Sequence, residues 1–83
     1  MNRIGLALGS LSTLGVPDAA LTPEESAIAL RAICDSLDRG NSNATAIFDM
    51  ASAIPNAEDY GAEVLAAAAY SLCPEHQEAV AAG

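Results

Sequence analysis

Cys34 and Cys73 have the widest chemical reach in this sequence, because a thiolate can attack a substrate, ligate a metal or join a second sulfur. Near them in the chain stand His76 and the carboxylates Asp35, Asp38 and Asp49, from which an acid, a base or a ligand set would have to be drawn. None of these residues sits in a catalytic motif. His76 lies in a polar stretch beside Glu75 and Glu78, the setting of a solvated or salt-paired surface histidine rather than a general base. Cys34 falls on an apolar helical stripe with only Arg31 as a nearby cation, which suits a structural sulfur better than a nucleophile. One histidine and two widely spaced cysteines do not approach a zinc-ligand pattern, so no metal and no cofactor are expected. Asp35 and Asp38, with Arg31 and Arg39, offer i, i+4 ion pairs on an exposed face, worth a few tenths of a kcal/mol. The expectation is a protein that is not an enzyme.

The elements that hold these residues must come from a small chain. With 83 residues there is room for one domain, 1–83, and none for a two-domain cleft. Leu, Ile, Val and Phe total 18 residues against 19 alanines, so the core must be thin and cemented by alanine. The charge of −8, with Arg3, Arg31 and Arg39 as the only strong cations, leaves no basic stripe for a phosphate backbone, so nucleic acid is an unfavoured partner. The longest uninterrupted apolar run, Val64 to Tyr70, is far too short to span a bilayer, and membrane insertion is not expected.

Helix signals run along nearly the whole chain. Met1 to Val16 has the outline of a weak secretion signal, but Gly5, Gly9, Ser10, Ser12 and Thr13 dilute it. Ile4, Leu8 and Leu11 instead fall on one helical stripe, closed by Gly15, Val16, Pro17 and Asp18. This first helix is the weakest, since Gly5 and Gly9 each cost about 1 kcal/mol relative to alanine. Thr22, Pro23, Glu24 and Glu25 form a capping box, and the second helix runs from it to about Arg39, with Ala27, Leu30, Ile33, Cys34 and Leu37 inward and Gly40 as its stop. After the polar turn Asn41, Ser42, Asn43, a third helix is predicted to turn Ile47, Phe48, Ala51 and Ile54 to the core until Pro55 ends it. The triplet Asn43, Ala44, Thr45 matches a glycosylation sequon but is too common a pattern to carry weight. Asn56 is predicted to cap a fourth helix with Tyr60, Val64, Ala68 and Leu72 every four residues, ending at Pro74. The core then spans about 4–73, and the tail 74–83 lacks large apolar anchors and is expected to fray. The fold class is all-α, a compact bundle of four helices with a short C-terminal extension.

Packing the second helix against the end of the fourth can bring Cys34 and Cys73 within bonding range. Closing a loop of this length would add about 4 kcal/mol in the chain-entropy model. The alternative is two buried free thiols, which act as small hydrophobes and suit a reducing cytosol, where a chain keeping Met1 would reside. Ala62, Ala66 and Ala69 lie at i, i+4, i+7 with Tyr70 beside them, a face that either docks on a protein partner or second copy or packs inside the monomer. Two tyrosines and one phenylalanine give little lining for a small-ligand carrier. The function expected is that of a non-enzymatic protein-interaction or accessory factor.

The string Arg31, Ala32, Ile33, Cys34, Asp35, Leu37, Asp38, Gly40, followed by Ala67 to Tyr70, Leu72, Cys73, Pro74, Glu75 and His76, carries a family resemblance. In this order and spacing, from about Leu8 to His76, the chain resembles a mycobacterial and mycobacteriophage domain-of-unknown-function family, number 732, of small alanine-rich two-cysteine helical proteins. The resemblance implies a compact helical fold with Cys34 bonded to Cys73, and it supplies no activity, catalytic residue or ligand. It also implies a secreted or envelope-associated product. A chain that starts directly with the domain departs from that form and fits a phage or phage-derived origin.

Overall fold

The computed structural model describes residues 3–17 and 19–82. Met1, Asn2, Asp18 and Gly83 lie outside the described residues, as do the side chains of Arg3 and Ile4, and with them the Ile4 position of the first stripe and the Asp18 position of the turn. Five helices follow in chain order: α1 (Arg3–Thr13), α2 (Pro23–Asp38), α3 (Asn43–Ala53), α4 (Gly61–Ala67) and α5 (Gln77–Ala82). No strand occurs among the described residues. The shortest dimension of the molecule is 18 Å.

Local chemistry starts and stops these elements. At the head of α2, Glu25 N–H donates to Thr22 Oγ1 at 3.0 Å and Thr22 N–H donates to Glu25 Oε1 at 2.9 Å, completing the expected capping box. α1 and α2 end in the same way. Val16 N–H donates to the Leu11 carbonyl and Gly15 N–H to that of Ser12; Asn41 N–H donates to Ser36 and Gly40 N–H to Leu37. Each closure needs a left-handed residue, supplied by Gly15 at φ +102° and Gly40 at φ +84°. At the head of α3, Ser42 accepts from Thr45 N–H at 3.2 Å.

α2 is the central strut, packed along α3 and touching α1 and α4. Leu30, Ile33, Met50 and Val64 are fully buried, and Ala7, Ala29, Ala46, Ala57, Ala67 and Ala68 fill the spaces between them. The expected alanine-cemented core is therefore present. Several expectations are corrected. In α3 the buried face is Ala46, Met50 and Ile54 with Ile47 half-buried, while Phe48 is 70% exposed, because close approach to α2 favours alanine and a flexible methionine over a rigid ring. The fourth helix is not continuous. Pro55–Tyr60 forms 3-10 turns, α4 follows, and Ala68–Leu72 widens into a π turn in which Cys73 N–H donates to the Ala68 carbonyl, five residues back. Asn56 caps nothing and instead donates from Nδ2 to Glu25 Oε2 at 3.1 Å.

A further correction concerns the tail. Pro74–His76 makes one 3-10 turn and Gln77–Ala82 forms α5, seated by half-buried Val80 and by Asn43 Nδ2, which donates to the Val80 carbonyl at 3.0 Å. The side-chain amide of the sequon is thereby occupied. The expected i, i+4 pairs give way to longer-range contacts, in which Arg39 reaches Asp49 at 3.4 Å and Asp38 reaches His76 at 2.6 Å. Ser36, fully buried, donates to Asp49 at 2.8 Å and accepts from Asn41 Nδ2 at 3.0 Å, tying α2 to α3 and to the turn between them.

Candidate functional site

Two regions gather the residues singled out in the sequence. The first is the seam between α2 and the end of the α4 segment. The capping box fixes where α2 begins and so which of its residues face inward, placing Cys34 among them. Across the seam the π turn adds one residue to the helical count and brings Cys73 round to meet it. The two are joined in a disulfide, with Cα atoms 6.0 Å apart and both residues buried. Neither sulfur is available as a nucleophile or ligand. One helical turn beyond Cys34, Asp38 Oδ1 lies 2.6 Å from His76 Nε2, and a Glu75 carboxylate oxygen lies close enough that the three donor atoms are all within 4.8 Å of one another. His76 is thus hydrogen-bonded to a carboxylate, with its side chain 21% exposed. Counting ligands along the sequence missed this trio because Asp38 lies 37 residues before Glu75 and 38 before His76 in the chain.

The second region is a groove between α1 and the α4 segment. Leu6, Gly9, Ser10, Thr13 and Leu14 form one wall, and Ala66, Ala67 and Tyr70 the other, enclosing about 590 Å³. Its rim is apolar and exposed: Leu6 is 50% exposed, Leu14 46% and Tyr70 71%. The hydroxyl of Ser10, one of its lining residues, meets that of Ser71 at 3.2 Å. Among the described residues, no charged side chain lines the groove. Gly9 keeps the floor open, since a Cβ placed there meets nothing within 4 Å.

The sequence-predicted face is only partly this surface. Ala66 and Tyr70 line the groove, and Ala62 is exposed elsewhere on α4. Ala69 is corrected: it is 2% exposed and packs inward, because the π turn rotates it away from the stripe that an uninterrupted α-helix would form. The opposite wall went unread. Gly5 and Gly9 were legible only as weaknesses of α1, whereas an exposed glycine flanked by Leu6 and Leu14 is the signal that marks the groove. A smaller depression of about 380 Å³ beside Phe48 is lined by Ala44, Ile47, Ala51, Ser52 and Glu58.

Among the described residues, no helix is long and apolar enough to cross a membrane. A family model described as "Protein of unknown function (DUF732)" matches residues 8–75. No curated protein and no solved structure matches the chain.

Proposed function

We propose, for a chain that belongs to the DUF732 family over residues 8–75 and takes no assigned activity from it, a non-enzymatic role as a protein-interaction or accessory factor acting through the α1/α4 groove. The observation that carries this reading is the exposure of Leu6, Leu14 and Tyr70 around a groove that no charged side chain among the described residues lines, in a chain of net charge −8. Clustered apolar side chains left in water on an otherwise acidic surface mark a surface that is covered in use. Tyr70 supplies the aromatic anchor that such contacts favour, and Gly9 and Ala66 allow a partner backbone to come close. The occupant is another protein or a second copy; the charge balance disfavours nucleic acid.

A benzophenone side chain introduced at Tyr70, in cells that make the protein, is expected to crosslink to one discrete product. Leu14→Asp should abolish that product, and a benzophenone at Phe48 should not yield it. Equal crosslinking from Tyr70 and Phe48, or a product indifferent to Leu14→Asp, would remove the groove as an interaction surface.

A second reading, a secreted or envelope-associated protein, is favoured by the Cys34–Cys73 disulfide, because such bonds persist where the surroundings are oxidising. Intact mass of endogenous protein isolated under thiol-blocking conditions tests it. Protein two hydrogens lighter than the dithiol form supports that compartment, and two blocked thiols contradict it. A small-ligand carrier is least supported, since among the described residues Tyr70 is the only aromatic side chain lining the larger groove.

A further inference from the structure

We propose that Asp38, Glu75 and His76 form a binding site for a divalent transition-metal ion, with Zn2+ the ion best suited to their donor set. The site is separate from the groove and does not depend on the role assigned to it. Its three donor atoms already lie within 4.8 Å of one another. Around a tetrahedral Zn2+ with bonds of about 2.0–2.2 Å, donors stand roughly 3.4 Å apart. The 2.6 Å contact between His76 Nε2 and Asp38 Oδ1 therefore opens slightly while the exposed Glu75 carboxylate closes in, movements that need only side-chain rotation. One imidazole with two carboxylates is a mixed nitrogen and oxygen set, which selects Zn2+ over Mg2+ because magnesium favours oxygen donors and retains its water.

Three further features favour the ion. Asp38 is the last residue of α2, at the negative end of the helix dipole. Arg39, the next residue along the chain from Asp38, is turned to Asp49 at 3.4 Å. The backbone carrying the ligands is held in place, since the disulfide lies four residues before Asp38 and three before His76. The ion takes the place of the hydrogen bond between His76 Nε2 and Asp38 Oδ1.

The test uses the full chain with its disulfide verified as closed by mass, titrated with zinc chloride by calorimetry at about pH 7 in a non-coordinating buffer, together with thermal melts. One ion per chain is expected, with a rise in Tm on saturation and affinity about tenfold weaker or worse in His76→Gln and in Glu75→Gln. Glu75 is exposed, so its variant keeps the test valid even if His76→Gln disturbs the seam. Binding equalled by magnesium chloride, binding unchanged in His76→Gln and Glu75→Gln, or binding that arises only after reduction frees the cysteines would each overturn the proposal.

Discussion

Glu25 shows how one side chain couples folding to pH. Its carboxylate accepts from the Thr22 backbone N–H at one oxygen and from Asn56 Nδ2 at the other, so it holds the start of α2 and links it to the turn after α3. The Thr22 N–H, assisted by the Asn56 amide and the Thr22 hydroxyl, holds the Glu25 carboxyl below its ordinary range, against a smaller opposing effect of burial. A carboxyl whose value is lower folded than unfolded adds stability that is fully present above the unfolded value. That stability is lost as the pH falls through the folded value. Glu25→Gln keeps the shape of the capping box without the charge. The variant should melt below wild type at neutral pH, and the gap should close as the pH is taken below the usual glutamate range. Thermal melts of both proteins in a pH series check this, and a gap that stays constant into strong acid would contradict it.

Two helical glycines make opposite predictions at the scale of elements. Gly61 opens α4 against α3, and a Cβ there would lie 2.6 Å from Ile47 Cγ2, a methyl close to its own backbone and unable to swing away. Gly61→Ala should destabilise by about 1–3 kcal/mol through overpacking, despite alanine's better helix propensity. Gly9→Ala, facing open space, should stabilise by up to about 1 kcal/mol and weaken whatever binds in the groove. Urea unfolding of the two variants decides both, and the same sign for both would refute the contrast. The same local character explains what was legible in the sequence. α2 could be read from Thr22 to Gly40 because its cap, stripe and stop are fixed by neighbouring residues. α3 was turned wrongly because Ile47 and Phe48 look like core residues, whereas the tight approach of α2 selects Ala46 and Met50. The π turn was invisible to a search for helical period, since its signal is a bond to the fifth residue back, and with it went the burial of Ala69. Half of the groove was legible from Ala66 and Tyr70; its other wall, like the Asp38–His76 contact, depends on elements distant in sequence meeting in space.

At the scale of the whole molecule, the Cys34–Cys73 bond joins residues 39 apart and so restricts the unfolded chain across nearly half its length. By the chain-entropy model, reduction should lower stability by about 4 kcal/mol, a large share of what a domain of this size has. Urea unfolding with and without reductant measures this, and coincident midpoints would show that the bundle stands without its bridge. The closed loop also decides what a cut in the backbone does. α3 and α4 lie inside it, whereas α1 and α5 lie outside. Arg39, exposed at the turn beside Gly40, offers trypsin a peptide bond within the loop. Cleavage there should leave one particle heavier by a single water, separating into two chains only when the sulfurs are reduced. A cut between α1 and α2 should instead release the whole α1 wall of the groove. In surroundings rich in proteases, the part of the molecule that holds its shape would thus outlast the part proposed to hold its partner.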